Sequence, residues 1–316
     1  MLKSRLCIAF FAFAVGCAPA QKPLTDYVNP MLGTATLWDS VDLGFKPTKR
    51  TWGAEVFPGS SLPNAMVQVS PVTKFHSGAG YQYEDSVIYG FTHTNKGHWN
   101  LCHIPLLPVT GTPTPGDYCS PFSHERESAA PGYYQVFLDR YGVDAQLSST
   151  LRCAFHKYTY PAGAAASLLA DLQRSNEHVR AWDIRKEGDN VFAGWQQTGE
   201  KMYFYAVANR PVTGIEPVVE GDREVRIVRF GEGDGALELR IGFSFVSEKN
   251  ARENLEAEML GKSFAEVRSE ATATWNDLLG RIRVEGGTER EKGLFYSSLY
   301  RCLLYTSPSP RDRTRS

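Results

Sequence analysis

The amino-acid sequence predicts a mainly β protein, an antiparallel β-sandwich that is followed by a helical segment. Two observations carry this prediction. From residue 22 to about residue 246, short runs alternate apolar and polar residues, and Gly- and Asp-rich turns separate the runs. Many short strands at such intervals are typical of an antiparallel sandwich. After Ser247 the apolar residues recur instead with the period of an α-helix.

The strands that we expect in the sandwich follow from the alternation of apolar and polar positions. The clearest runs are 65–69, 134–138, 143–147 and 237–241. The run 223–230 is also typical of a strand, but its apolar positions change face between Ile227 and Val228, which predicts a β-bulge. The segment 34–51 has no clear period, and we expect a long surface loop there.

Three helices are predicted after the strands. In the first, Ala251, Leu255 and Met259 share one face, and Gly261 ends the pattern. The second and third begin at sequences of the capping-box type, in which a Ser or Thr is followed three residues later by Glu. Their apolar positions are Val267, Ala271, Trp275 and Leu278 in the second helix, and Leu294, Phe295, Leu299, Cys302 and Leu303 in the third.

The first twenty residues have the pattern of an export signal. Lys3 and Arg5 precede the apolar run 7–15, which is shorter than the roughly 20 residues that a membrane-spanning helix needs. Two processing sites stay open. Cleavage after Ala20 would release a soluble protein, whereas the lipobox-like run 14–17 would leave Cys17 lipidated at a membrane. We therefore expect an exported protein that is periplasmic, secreted or an outer-membrane lipoprotein.

The composition limits the class of protein. The formal net charge is −1 and the sequence contains no basic stripe, which argues against a nucleic-acid partner. The 15 Tyr and 17 Phe suit a β-rich body with sugar contacts. The spacing of the cysteines after the signal matches no metal-binding pattern. Cys102 and Cys119 flank a Pro- and Gly-rich loop and could form a disulfide. Unpaired thiols are the alternative, and the sequence does not decide between the two.

Polar side chains crowd around one aromatic residue after a strand-like run. His93, Asn95, His98, Trp99 and Asn100 fall within eight positions. An aromatic face can cover the C–H groups of a sugar ring while neighbouring polar groups meet its hydroxyls. The sequence therefore indicates a carbohydrate-binding loop. In the alternative interpretation, Trp99 packs against the sandwich and both histidines cap loops.

Ten segments of the sequence form an ordered set of motifs. They are 28–33 (VNPMLG), 53–71 (GAEVFPGSSLPNAMVQVSP), 89–100 (YGFTHTNKGHWN), 122–125 (FSHE), 131–134 (PGYY), 155–161 (FHKYTYP), 203–205 (YFY), 241–255 (IGFSFVSEKNARENL), 275–276 (WN) and 284–288 (VEGGT). No single motif is specific, but the ordered set is. Taken in order, these segments resemble family 92 of the glycoside hydrolases, the calcium-dependent exo-acting α-mannosidases, and the similarity extends from about Asp26 to Tyr305.

The resemblance implies a galactose-mutarotase-like supersandwich, a helical linker and an (α/α)6 barrel. On this basis we expect a signal peptide at 1–20, the sandwich at 21–246, the linker at 247–280 and the start of a truncated catalytic domain at 281–305. Residues 306–316 interrupt the helical pattern, and we interpret them as a foreign or disordered tail. The linker and the cut third helix are then expected to expose their apolar stripes, because those stripes would pack on the rest of the barrel.

The resemblance also implies an inverting, calcium-dependent removal of terminal α-linked mannose from N-glycans or mannans. Inversion uses two carboxyl groups roughly 6.5–9.5 Å apart. In the family these groups and the main calcium ligands lie in the barrel, so no catalytic residue and no metal ligand is assigned here, and this fragment is expected to be inactive and to bind no calcium alone. A solvated or capping role is expected for four other acidic residues, Glu125, Glu127, Asp139 and Asp171.

The family's sandwich lends loops to the rim of the active site. The residues that would contact substrate are therefore His93, Asn95, His98, Trp99 and Asn100. Trp99 would stack on the sugar on the leaving-group side, and His98 and Asn100 would donate or accept hydrogen bonds. His93 lies beside a strand, where a structural role is favoured. Residues 96–103 replace a Gly-rich stretch that common members carry, which leaves the linkage open.

Glu55 is one further candidate for contact with substrate. It precedes a loop that should approach the site, where its carboxylate could accept hydrogen bonds from sugar hydroxyls or serve as a plain loop residue. A stand-alone carbohydrate-binding module is the main alternative to a mannosidase fragment. A structural surface lipoprotein is a third alternative, and it depends on Cys17 alone.

Overall fold

The computed structural model describes residues 22–37, 44–46, 51–52, 55–96, 99–233 and 235–305. The strands are β1 (Thr36–Leu37), β2 (Thr51–Trp52), β3 (Ser60–Ser61), β4 (Gln68–Val72), β5 (Val87–Ile88), β6 (Gly90–Thr92), β7 (Asn95–Lys96), β8 (Trp99–Asn100), β9 (Leu106–Val109), β10 (Ser120–Pro121), β11 (Glu127–Ala130), β12 (Tyr133–Leu138), β13 (Val143–Ser149), β14 (Cys153–Thr159), β15 (Ser167–Ala170), β16 (Ala181–Gly188), β17 (Val191–Gln197), β18 (Lys201–Ala208), β19 (Val212–Glu220), β20 (Arg223–Phe230) and β21 (Leu237–Ser244). The helices are α1 (Glu248–Glu258), α2 (Phe264–Leu279) and α3 (Glu289–Tyr305), with short 3-10 turns at Leu24–Tyr27 and His124–Arg126.

Two large antiparallel sheets form the sandwich, which confirms the predicted fold class. One sheet has the strand order β11-β12-β13-β14-β21-β18-β17-β16, and the other has the order β19-β20-β15-β9-β6-β4-β3. The alternation along β18 shows how the sequence builds the core. Met202, Phe204 and Ala206 are buried in the main hydrophobic cluster, whereas Tyr203 and Tyr205 between them are partly exposed.

The bulge predicted in β20 is absent from that strand. Its pairing with β15 is regular, and the register shift falls on the opposite neighbour, between Val212 and Gly214 of β19. Val225 and Ile227 on one face of β20 and Val228 on the other are all buried, so both faces of this strand are covered. A strand that is covered on both faces needs no strict alternation.

Helices α1 and α2 cover the outer face of the eight-stranded sheet. Leu255 of α1 and Val267 of α2 pack with Phe155 of β14 in a second hydrophobic cluster. The contact of α1 with β21 requires a glycine, because a Cβ atom at Gly242 would lie 2.1 Å from the carbonyl oxygen of Ala251. The predicted capping box at the start of α2 is present, with both reciprocal hydrogen bonds between Ser263 and Glu266.

The apolar stripe of α2 is covered, so the expectation of an open apolar face was wrong there. In α3 the stripe is covered only in part: Leu294 and Cys302 are exposed, whereas Phe295, Leu299 and Leu303 pack against the cluster around Trp275. Trp275 is fully buried, and its ring centroid lies 4.5 Å from that of Tyr300 in α3. The indole Nε1–H donates a 2.8 Å hydrogen bond to the carbonyl oxygen of Ser61 in β3. Phe57 and Leu24 belong to the same cluster. The helices therefore fold back on the sandwich. Val267 is likewise buried, and three further side chains are partly buried there: Leu278, Phe295 and Leu299.

Among the residues that the structure describes, three histidines are buried inside the protein: His93, His103 and His156. The Nε2 atoms of His93 and His156 lie 3.0 Å apart, so one ring donates and the other accepts. The third ring, that of His103, lies 2.8 Å from the hydroxyl of Thr94 and 2.9 Å from that of Thr198. Burial disfavours the imidazolium form and lowers the pKa of His93 to about 3 and that of His103 to about 4.

The two cysteines considered for a disulfide are not joined. Cys102 is buried and Cys119 is partly buried, and both are thiols in the structure. Burial raises the pKa of the Cys102 thiol, so this residue is an inert member of the core. Of the two alternatives that the sequence left open for this pair, the structure shows the unpaired one.

Replacing Trp275 by Ala should lower the free energy of unfolding by about 3–5 kcal/mol, because a fully buried indole and its hydrogen bond are lost. Urea denaturation of the chain, followed by circular dichroism, measures this loss. Asp277→Ala, an exposed change on the same helix, serves as the control. Equal stability of the two variants would show that α2 does not pack on the sandwich.

Acid should destabilise the fold through the buried histidines. In the unfolded chain a histidine titrates near pKa 6.5, whereas the folded pKa of His103 is about 4. Between these values the unfolded state binds more protons, so the free energy of unfolding falls as the pH falls. We expect the melting temperature to drop from about pH 7 to about pH 5, with up to roughly 2 kcal/mol lost for each buried histidine at the lower pH.

The variant His103→Gln should flatten this pH dependence, because a glutamine can keep contacts to two hydroxyls without titrating. The matched control is His178→Gln, since His178 is exposed. Melting curves across the pH range compare the two variants. An unchanged slope in His103→Gln would contradict the assignment of a neutral, buried imidazole at this position.

Candidate functional site

The segment that carries most of the predicted site residues forms a short hairpin. Strands β7 and β8 pair antiparallel, so Asn95 lies opposite Asn100 and Lys96 lies opposite Trp99. The side chains of Asn95 and Trp99, and all of His98, lie outside the described residues. Their contact with sugar therefore stays a prediction, and the described residues show how the hairpin is held.

Asn100 holds the base of this hairpin from inside the protein. The residue is fully buried. Its Oδ1 accepts a 2.7 Å hydrogen bond from the backbone N–H of Cys102, and its Nδ2 lies 3.4 Å from the hydroxyl of Thr92. Both groups of the amide are thus engaged within the chain. The structure gives Asn100 a supporting position rather than an open one.

His93 is also buried, two residues before the hairpin. Its ring lies 4.6 Å from that of Phe243, centroid to centroid, and it shares a hydrogen bond with His156. This agrees with the structural role that its place beside a strand favoured. His156 in turn lies 2.5 Å from the hydroxyl of Tyr158 through its Nδ1. The buried pair fixes the end of β6, from which the hairpin starts.

A glycine-rich turn brings Glu55 and Asn100 to the same loop. A Cβ atom at Gly78 would lie 3.2 Å from the carboxyl carbon of Glu55, and one at Gly80 would lie 2.6 Å from Nδ2 of Asn100. Gly80 also has a φ of +76°, which favours glycine. The side chains of Glu55 and Asn100 can approach the turn this closely only because positions 78 and 80 are glycines. The run 78–80, Gly-Ala-Gly, is the sequence signal for this approach, and the predicted set of site residues did not include it.

The expected solvated or capping role is wrong for Asp171. Its side chain is fully buried, and Oδ2 accepts hydrogen bonds of 2.6 Å from the hydroxyl of Tyr118 and 2.6 Å from the guanidinium of Arg223. Arg174 donates to the same tyrosine oxygen at 3.2 Å. The burial and the carboxylate raise the pKa of Tyr118. Asp171 is therefore the buried centre of a polar cluster with Tyr118, Arg174 and Arg223.

The same expectation is wrong for Glu127, whose side chain is 1% exposed. Its oxygens accept hydrogen bonds from the hydroxyls of Tyr81 at 3.0 Å and Tyr134 at 2.5 Å. The Nδ1 of His124 lies 2.5 Å from the carboxylate, while its Nε2 lies 2.6 Å from the carbonyl oxygen of Tyr83. A carbonyl can only accept, so Nε2 carries a proton. The ring of His124 therefore bridges the carboxylate of Glu127 and the carbonyl oxygen of Tyr83.

The other two acidic residues are on the surface, as expected. Glu125 is exposed in the short turn before β11, and Asp139 forms an ion pair with Arg126. Within the residues that the structure describes, no three His, Cys, Asp or Glu side chains converge as metal ligands. Every donor of the Glu127 cluster is already used by the protein. We therefore assign neither buried carboxylate to catalysis.

Comparison with known proteins gives a consistent relationship. Residues 27–254 match the model of the glycosyl hydrolase family 92 N-terminal domain, and residues 250–314 match that of the family 92 catalytic domain. A curated relative from the fungus Arthroderma benhamiae, described as an uncharacterized secreted glycosidase, is 24% identical over 343 aligned positions. The alignment covers 91% of this chain and 42% of the relative.

Solved structures give the same result. A family GH92 α-mannosidase from Bacteroides thetaiotaomicron superposes with a TM-score of 0.79 at 26% identity, over 90% of this chain and 41% of that one. An inverting GH92 mannosidase from the same species superposes with a TM-score of 0.76 at 25% identity, over 90% and 40% of the two chains. A bacterial glucoamylase, 10% identical with a TM-score of 0.54, shares the fold alone.

The chain therefore spans about two fifths of the length of these relatives. The N-terminal family model covers well over half of the chain, and the catalytic-domain model follows it in the expected order. The sandwich, the helices and the motifs from the opening segment to Tyr305 agree with this match. The protein belongs to glycoside hydrolase family 92.

Proposed function

We propose that this chain is the N-terminal part of a longer exported exo-α-mannosidase, which removes terminal α-linked mannose from N-glycans or mannans with inversion. One observation carries the proposal: the sandwich and its helices superpose on a family GH92 α-mannosidase at a TM-score of 0.79 while spanning 41% of it. The same mannosidase has been solved with mannoimidazole. The match of residues 250–314 to the catalytic-domain model favours the enzyme over a stand-alone carbohydrate-binding module.

In this proposal the hairpin of β7 and β8 lies at the rim of the active site. The buried amide of Asn100 and the histidine pair below it hold the hairpin in place. Trp99 then covers the sugar on the leaving-group side, while His98 and Asn95 meet hydroxyls. Glu55 approaches from the other side of the glycine-rich turn. An aromatic ring with flanking polar groups is the arrangement that a pyranose ring needs.

Calcium is part of the proposal for the longer protein only. Calcium needs six to eight oxygen ligands. The part of the chain that the structure describes offers no cluster of acidic or histidine ligands that fits a metal ion. These residues are therefore assigned no role in binding calcium. The acid, the base and the calcium ligands are proposed to belong to the barrel.

Export is supported by the sequence and by one relative. The basic start and short apolar run of residues 1–20 lie outside the described residues, as does Cys17. The fungal relative is described as secreted. Among the described helices, none has the length and apolarity required to cross a membrane. Attachment through a lipidated Cys17 stays a prediction beside cleavage after Ala20.

The longer protein should hydrolyse an aryl α-mannoside and an α-linked mannobiose, whereas the 316-residue chain should release no mannose. The reason is that inverting hydrolysis needs two carboxyl groups across the sugar, which we place in the barrel. A chelator should abolish the activity of the longer protein, and added calcium should restore it. Turnover by the purified 316-residue chain would contradict the proposal that the catalytic carboxyl groups belong to the barrel.

Trp99→Ala in the longer protein should lower kcat/KM for the mannobiose. The expected loss of transition-state stabilisation is about 1–3 kcal/mol, the scale of losing one aromatic surface against a sugar. The aryl mannoside should lose less, because its leaving group is not a sugar. Steady-state kinetics on both substrates and a melting curve test this. An equal loss on both substrates together with a lower melting temperature would instead show that Trp99 packs against the sandwich.

A further inference from the structure

A groove with a cavity volume of about 780 Å³ lies between the two sheets, next to the hairpin. One wall is the start of β16, the edge strand of the eight-stranded sheet, and the other includes Arg223 at the start of β20. The loop 173–180 forms its floor. Ligand-binding sites commonly have volumes of roughly 300–1,000 Å³. Its size therefore suits a small ligand or a segment of a larger one.

The charged side chains that line this groove are mainly cationic. Arg174, Arg180 and Arg223 face one carboxylate, that of Glu177. The Glu177 side chain is 41% exposed, and its carboxylate accepts a 2.6 Å hydrogen bond from the hydroxyl of Thr198. Two of the arginines are engaged below the groove, Arg223 by Asp171 and Arg174 by a tyrosine hydroxyl.

Two further side chains of the groove are left for a ligand. Arg180 and His178 are exposed, and within the described part of the chain neither side chain has a hydrogen-bond or ion-pair partner. A guanidinium with unused donors can bind a phosphate, sulfate or carboxylate through two parallel hydrogen bonds. The unused donors of Arg180 therefore suit an anionic ligand.

An aromatic ring lines the same groove. Trp182 is partly buried, packs against the main core and has the guanidinium of Arg226 over its ring, 5.3 Å from the ring centroid. Arg180 directly precedes β16, Trp182 is the second residue of that strand, and both line the groove. An indole face covers the C–H groups of a sugar, while the neighbouring guanidinium meets a charged substituent. The pairing indicates a glycan rather than a free anion.

The groove is joined directly to the hairpin. Asn176 lies between the groove-lining residues Ser175 and Glu177. It donates a 2.5 Å hydrogen bond to the carbonyl oxygen of Asn100, and its Oδ1 accepts one of 2.6 Å from the backbone N–H of His76. Ser175 donates to the carbonyl oxygen of Leu101 at 2.6 Å. His76 itself has a φ of +60°, an uncommon conformation for a residue with a side chain, and it lines the same groove.

From this geometry we propose that the groove binds a segment of glycan that carries an anionic group, a phosphate, sulfate or carboxylate, with Trp182 under a sugar ring and Arg180 and His178 on the charge. The inference rests on the proposed function for the choice of a mannose-containing glycan. It extends that function, because the hairpin handles the sugar at the scissile bond and the groove handles an acidic part of the same glycan or of a neighbouring one.

Affinity electrophoresis of the 316-residue chain tests the groove without any need for catalysis. The probes are one neutral α-mannan and the same mannan after phosphorylation, sulfation or oxidation of C6 to a carboxylate. We expect at least one anionic mannan to bind at least tenfold more tightly than the neutral parent, and added salt to weaken the binding. The three arms distinguish the source of the charge. Polyglutamate, a polyanion without sugar, should not bind.

Variants connect the binding to the groove. Arg180→Gln and His178→Gln should each weaken binding of the anionic mannan about three- to tenfold, since each removes one charge-assisted contact. Lys186→Gln, an exposed change further along β16, is the matched control and should bind as the parent does. Trp182→Leu should weaken binding of all mannans, with a melting curve to verify that the variant folds.

Four results would overturn the inference: no binding of any mannan, equal binding of the neutral and anionic forms, equal binding of polyglutamate, or loss of affinity in Lys186→Gln as large as in Arg180→Gln. None of these results depends on hydrolysis. A longer protein that hydrolyses mannosides while the groove binds nothing would retain the proposed function and remove only this inference.

Discussion

The arrangement of the helices depends on the burial of Trp275. Its indole is closed in between Tyr300 of α3 and Phe57 of the sandwich, and it donates its only N–H to the carbonyl oxygen of Ser61. A buried indole N–H needs such an acceptor. This one side chain therefore joins the strand β3, the helix α2 and the helix α3. The segment that begins the catalytic domain is held against the sandwich by a contact within this chain.

Hydrogen bonds inside the protein also hold the candidate site. The amide of Asn100, the Nε2 atoms of His93 and His156, and Oδ2 of Asp171 have partners in the chain. Within the described residues, Nδ1 of His93 and Oδ1 of Asp171 are buried without a hydrogen-bond partner. A buried polar group that loses its partner costs about 1–3 kcal/mol, so each of these contacts fixes its loop. The interior is then a rigid support. The exposed groups that remain, among them Arg180, are those that can meet a ligand.

Local patterns in the sequence predicted the elements, and tertiary contacts decided the rest. Alternation gave β12 and β13, and the capping-box pattern gave the start of α2. The burial of Glu127 could not be predicted in this way, because one of its donors, Tyr81, is 46 residues away in the sequence. The face of α2 was predicted but not its partner, since Ser61 lies 214 residues from Trp275. Residues that pair over such distances carry no local signal.

The central claim is that the chain is the front part of an inverting α-mannosidase. The most direct test is proton NMR of the mannose that the longer protein releases from an α-mannoside. The spectrum must be recorded before the released α and β anomers equilibrate. Attack by water on the face opposite the leaving group requires β-mannose as the initial product. Release of α-mannose would contradict inversion, and release of no mannose at all would contradict the assignment of a mannosidase.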